Sequence, residues 1–152
     1  MGLDARQWDQ LAAAASAVRA HAYAPASHFH VGAAVWSADG RMFAGCNVEN
    51  ASYGLTICAE RAAVCAAVAA GARELVAVAI ATGLDEPATP CGACRQVLAE
   101  FGRDLAVLLI GKGGRRRTTT LAHLLPEPFT FADIPLGRTA RDQAATGTDA
   151  SS

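Results

Sequence analysis

Leu75-Val-Ala-Val-Ala-Ile-Ala81 and Leu105-Ala-Val-Leu-Leu-Ile110 are two short, wholly apolar runs, and between them Cys91 to Phe101 reads as a helix closed by Gly102. That order decides the fold class. Apolar runs this short, with no polar alternation, are expected of strands covered on both faces. Val31-Gly-Ala-Ala-Val-Trp36 reads as a third such strand. Ser37-Ala-Asp-Gly40 turns the chain, and Arg41 to Cys46 returns as the second limb of a hairpin.

Helices fill the remaining spaces. Trp8, Leu11, Ala15, Val18 and Ala22 recur at three- and four-residue steps, so residues 6–22 are predicted helical up to Pro25. Residues 58–70 form another helix, with Thr56 as its cap and Gly71 just past its end. Residues 111–114 turn into a fifth strand at 115–120, and 120–125 form a short helix before Pro126. Together these predict a three-layer α/β/α sandwich around a mixed five-stranded sheet. One domain spans residues 1–137, and 138–152, rich in Gly, Thr, Ala, Asp and Ser, is expected to be disordered.

Composition narrows the function. A formal net charge of −1 gives no electrostatic case for nucleic acid. No apolar run approaches the roughly 20 residues of a membrane span, and Met1–Arg6 lacks the basic-then-apolar order of a secretory signal. Five cysteines are an odd number, and three stand at metal-ligand spacing, which favours a reducing compartment, the cytoplasm, over a disulfide framework. Arg115-Arg116-Arg117 reads as a solvated hairpin limb, and Gly111-Lys-Gly-Gly114 lacks the spacing of a phosphate-binding loop.

The chemistry sits in Cys58-Ala-Glu-Arg61 and Pro90-Cys-Gly-Ala-Cys-Arg95. Three thiolates, Cys58, Cys91 and Cys94, can hold Zn²⁺ and leave its fourth position open, which separates a catalytic from a structural zinc site. Both segments open helices, whose free N–H groups and positive dipole ends favour thiolate. Glu60 is placed to move protons. Three thiolates leave the metal site at −1, so Arg61 and Arg95 are expected to donate to cysteine sulfur and withdraw charge. A C-x-x-C alone is also the spacing of a structural half-site; the C-x-E segment with P-C-x-x-C is the spacing of zinc deaminases. Cys46 and Cys65 are expected in the core, and His28 and His30 at a loop edge. The loop 47–56 carries the richest set of ligand-gripping side chains.

At these residues the chain resembles the small homotetrameric cytidine deaminases that act on free nucleosides. The resemblance runs from about Ala22 to Phe131. It rests on Ser27-x-Phe29-x-Val31-Gly-Ala-Ala34, Gly45-Cys-Asn-Val-Glu-Asn50, Cys58-Ala-Glu-Arg61, Pro90-Cys-Gly-Ala-Cys-Arg-Gln-Val97 and Leu124-Leu-Pro126. It implies one zinc per subunit on Cys58, Cys91 and Cys94, with Glu60 as proton shuttle. It further implies Asn47 and Glu49 on the ribose hydroxyls, Phe29 on the pyrimidine, and backbone at Ala59 reading the base. A neighbouring subunit would add Ala51 and Tyr53, and another Phe129. The implied reaction is hydrolysis of cytidine or deoxycytidine to uridine or deoxyuridine and ammonia, in pyrimidine salvage. Ala26 stands where the family usually has Tyr, and Ala62 where it often has Thr. The smaller Ala26 also leaves room for a modified cytosine nucleoside, such as a blasticidin-type antibiotic. A non-catalytic zinc module is the remaining alternative, one that gives Glu60 no role.

Overall fold

The computed structural model describes residues 2–134. The expected disorder of 138–152 lies outside them. Asp4 caps helix α1 (Ala5–Val18): its carboxylate accepts from the Gln7 N–H, and the Gln7 side chain accepts from the Asp4 N–H, both at 2.8 Å. The predicted stripe holds through Leu11 and Ala15, but the last turn tightens to a 3₁₀ turn over Arg19–His21.

The strands follow the predicted positions within a residue or two. They are β1 (Gly32–Ser37), β2 (Met42–Cys46), β3 (Leu75–Ala81), β4 (Ala106–Ile110) and β5 (Arg116–Thr120). Their order in the sheet is β2-β1-β3-β4-β5, with β3 and β4 parallel and every other pair antiparallel. Parallel neighbours need a crossover, and helix α3 (Gly92–Phe101) supplies it. Helix α2 (Ala59–Ala69) joins the hairpin to β3, and α4 (Leu121–Leu124) follows β5.

The three central strands β1, β3 and β4 feed two cores. Ala77, Ala79 and Ala81 pack with Leu11 and Ala15 of α1 on one face, while Val78 and Ile80 pack with Ala63, Val64 and Leu98 of α2 and α3 on the other. Alanines on the α1 face hold the layers close. Two glycines do the same where helix and sheet nearly touch. A Cβ at Gly32 would run into the Ala15 carbonyl of α1, and one at Gly45 into the Ala63 amide of α2. The second contact seats the amino end of α2 against the hairpin.

Two local expectations are corrected. Thr56 does not cap α2; Cys58 occupies that position with extended φ/ψ, and the Thr56 carbonyl accepts from Arg61 instead. Cys65 is exposed rather than part of the core, because it lies on the side of α2 opposite Ala63, Val64 and Ala67. The basic run before and within edge strand β5 is engaged inside the chain. Arg115 pairs with Glu86, Arg116 with Asp9 at 2.8 Å, and Arg117 donates to the Pro87 carbonyl. No helix among the described residues is long and apolar enough to cross a membrane.

Candidate active site

Helices α2 and α3 lie on one face of the sheet and bring their amino ends together. Cys58 is the N-cap of α2, Cys91 the N-cap of α3, and Cys94 lies in the first turn of α3. Cys58 Sγ and Cys91 Sγ stand 3.9 Å apart, and the three sulfurs lie within 4.8 Å of one another. A tetrahedral zinc with bonds near 2.3 Å separates its sulfur ligands by about 3.8 Å. The donor set and its spacing therefore fit zinc, and no fourth protein ligand joins the group among the described residues.

The thiols differ in environment. Burial pushes the Cys94 thiol well up, and the Glu60 charge adds to the effect. At Cys91 burial works upward too, but the Cys94 backbone N–H and the neighbouring thiols together bring it below the usual thiol value. A dication is what allows all three to be thiolates at once.

Glu60, on the first turn of α2, is 5% exposed. Burial raises its carboxyl above the usual value against the opposing pull of its backbone N–H and the Cys94 thiol. A buried carboxyl whose pKa is raised holds a proton more readily than a free one and can pass it on to a neighbouring group.

The two arginines part company. Arg61 donates from Nη2 to the Thr56 carbonyl at 2.8 Å and lies 3.7 Å from Cys58 Sγ, so it meets the sulfur as expected. Arg95 does not. Its guanidinium binds the Pro90 carbonyl (2.8 Å), the Leu124 carbonyl (2.9 Å) and Thr89 Oγ1 (3.0 Å). It clamps the segment entering Cys91 and ties it to α4.

A cavity of about 250 Å³ opens beside the sulfurs. Of the expected substrate residues, Phe29, Asn47, Glu49, Ala59 and Glu60 line it. Asn47 and Glu49 are already committed within the chain. Asn47 Oδ1 accepts from the Val31 N–H and Nδ2 donates to the Phe29 carbonyl, both at 2.8 Å. Glu49 accepts from the Ala26 N–H (2.8 Å), the Ser27 N–H (3.2 Å) and the Ser27 hydroxyl. The Ser27 hydroxyl first, then those amides, hold the Glu49 carboxyl below its usual pKa. Both side chains thus shape the loop that presents Phe29. Ala51 and Tyr53 line a separate depression with Tyr23 and Ala26, and Phe129 is exposed, its backbone paired with the Gln96 amide. None of these three reaches the cavity within one chain. Thr56, in the ligand-gripping loop 47–56, lines it too, as do Thr82, Ala88 and Thr89, which the sequence did not single out; of these three only Thr89, just before Pro90-Cys91, carried any local signal.

Residues 6–110 match the family described as "Cytidine and deoxycytidylate deaminase zinc-binding region". The chain belongs to this family. Among relatives of known name, a cytidine deaminase from Sporosarcina psychrophila is 43% identical over 83% of this chain and 93% of its own length. One from Mycobacterium tuberculosis is 47% identical over 86% and 96%. The 1.6 Å crystal structure of cytidine deaminase from Burkholderia pseudomallei superposes with a TM-score of 0.76 at 50% identity, covering 80% of this chain and 98% of that one. The deaminase fold thus carries this chain's mixed five-stranded sheet, and the zinc-binding region takes in Cys58, Cys91 and Cys94.

Proposed function

We propose that the chain deaminates free cytosine nucleosides, converting cytidine or deoxycytidine and water to uridine or deoxyuridine and ammonia, as a step of pyrimidine salvage in the cytoplasm. The observation that carries this reading is a buried Glu60 beside three converging cysteines at the wall of a nucleoside-scale cavity. Cys58, Cys91 and Cys94 would hold the zinc ion, which would supply the Lewis acid that lets water act as nucleophile near neutral pH. Glu60 takes one proton from the attacking water and passes it to the ring nitrogen, then takes the remaining proton from the new C4 hydroxyl and gives it to the amine, which leaves as ammonia while the C4 carbonyl forms. Its burial raises the proton affinity of the carboxyl, which favours the first transfer. Phe29 packs on the ring, and backbone at Ala59 with Glu60 reads its polar edge. Glu49 and Asn47 hold the sugar through the groups their loop bonds leave free. Arg61 offsets the negative charge of the sulfurs.

The same reading makes the working form a homotetramer with shared sites. Tyr53, Phe129, Phe131, Leu55 and Tyr23 are among the large apolar side chains left exposed in one chain. Apolar exposure on that scale is typical of a surface that another chain covers. Ala51 and Tyr53 from one neighbour and Phe129 from another would then close the cavity.

The test is direct. Purified, zinc-loaded protein is mixed with cytidine, the loss of cytidine absorbance is followed, and uridine is identified as product. Enzymatic conversion is expected. No conversion with zinc bound and the tetramer assembled overturns the reading. Light scattering of the same sample gives the subunit number, and a monomer refutes the shared site.

A further inference from the structure

Among the described residues, two buried side-chain polar atoms have no hydrogen-bond partner, Arg61 Nε and Thr82 Oγ1. Arg61 belongs with the cysteine sulfurs. Thr82 belongs to nothing so far assigned. It follows the last residue of β3, is 3% exposed, and lines the cavity beside the cysteines. Its backbone is satisfied, with the N–H donating to the Ile110 carbonyl at 2.9 Å.

Strand alternation gives the direction of the side chain. Ala79 and Ala81 face α1, while Val78 and Ile80 face α2 and α3. Thr82 comes next in the second series, and Ile80 lines the same cavity. The register pairs Ala81 with Gly32, which puts Thr82 opposite Val31, another cavity residue. Thr82 thus stands at the carboxyl end of the parallel pair β3–β4, where open α/β sheets usually receive ligands. A buried hydroxyl without a partner destabilises the free protein, and valine would fill the same volume without that cost. The hydroxyl is accounted for if a ligand completes it.

We propose that the Thr82 hydroxyl hydrogen-bonds the polar edge of the pyrimidine ring and positions it against Glu60; this rests on the nucleoside deaminase reading above. The ring rather than the sugar is its partner because of what surrounds it. Val31 and Ile80 form an apolar floor suited to a flat ring, and Ala88 and Thr89 lead directly into Pro90-Cys91. The side chains given to the sugar, Asn47 and Glu49, follow β2 in the chain rather than standing at the end of β3, and Glu49 is bound to Ser27. A hydroxyl also suits this reaction. Cytosine presents an amine that donates where uracil presents an oxygen that accepts, and a rotating hydroxyl serves both.

The experiment compares wild type, T82V and T82S on cytidine and 2′-deoxycytidine, with zinc content and the thermal midpoint of the ligand-free protein measured alongside. T82V is expected to raise KM about two- to tenfold, the range of one net hydrogen bond, and equally for both nucleosides. Its zinc content should be unchanged and its thermal midpoint equal or higher. T82S should stay near wild type. Unchanged KM in T82V overturns the proposal. An effect on cytidine without one on deoxycytidine moves the partner to the sugar 2′-hydroxyl and overturns it as well. A lower thermal midpoint with unaltered kinetics marks the hydroxyl as purely structural. If zinc-loaded wild type deaminates neither nucleoside, the deaminase reading fails and this one with it; an active wild type beside an unaffected T82V sinks this proposal alone.

Discussion

Replacing Asn47 by Ala separates a residue that builds the site from one that only touches the substrate. The side chain is 8% exposed and makes two hydrogen bonds 2.8 Å long, one from the Val31 N–H and one to the Phe29 carbonyl. Alanine leaves the buried Val31 N–H without a partner, which costs roughly 1–3 kcal/mol. The Phe29 carbonyl lies nearer solvent and water can replace its lost donor, so that bond adds about 0.5–1 kcal/mol. Together they come to about 1.5–4 kcal/mol. At roughly 3 °C per kcal/mol for a domain of this size, the thermal midpoint should fall by about 5–12 °C. Calorimetry at fixed protein concentration measures it, since assembly makes the midpoint concentration-dependent. Loosening the Phe29 loop should also raise KM for cytidine. Asn47→Asp should be no better than Ala, because it keeps the acceptor for Val31 but turns a second oxygen towards the Phe29 carbonyl. The reasoning is refuted if Asn47→Ala loses substrate affinity with its thermal midpoint unchanged. The amide would then serve the ligand alone.

Glu60→Gln should lower kcat by at least about 100- to 10,000-fold while keeping one zinc per subunit, because the amide fills the space but cannot accept a proton; loss of zinc together with activity would instead make Glu60 part of the metal site. Arg61→Ala should lower kcat about 10- to 100-fold and zinc content less, as expected of a donor acting on a ligand sulfur; unchanged turnover would remove the charge argument. Glu49 gives a pH effect whose sign is set by its partners. Its carboxyl is held below the usual value by the Ser27 hydroxyl first and then the Ala26 and Ser27 amides. The stabilisation is therefore fully present above the ordinary carboxylate pKa of 4.5 and is lost as pH falls through the lower folded value. Protection of the Ala26 and Ser27 amides, measured against their intrinsic exchange rates, should fall on acidification below that point. Glu49→Gln should exchange fast at every pH, and an identical acid profile in that variant would show that another group controls the loop.

Residues close together in the chain were legible. Cys58 and Glu60, or Cys91 and Cys94, hold their relation through the covalent chain and one helical turn, so spacing alone announces their chemistry. The apolar runs at 31–36, 75–81 and 105–110 likewise announce strands, since only burial on both faces accommodates them. Partnerships across the chain were not legible. Arg61 and Arg95 stand in equivalent places after their motifs, yet one meets Cys58 and the other reaches Leu124, 29 residues away. Asn47 reads as a ligand-gripping loop residue until its amide is found bridging Val31 and Phe29. Cys65 looks like a core residue by type and is exposed because of where the turn of α2 leaves it. Thr82 carries no motif at all; strand register and the parallel neighbour bring it to the cavity. The sequence by itself announced the order of secondary structure, Cys58 with Glu60, and the Cys91–Cys94 pair, because each rests on neighbours a few residues apart; only the fold brings Cys58 to Cys91, 33 residues away. Tertiary structure decided which polar groups are left free to meet a substrate, because a hydrogen bond goes to whatever the packing of distant segments brings within 3 Å.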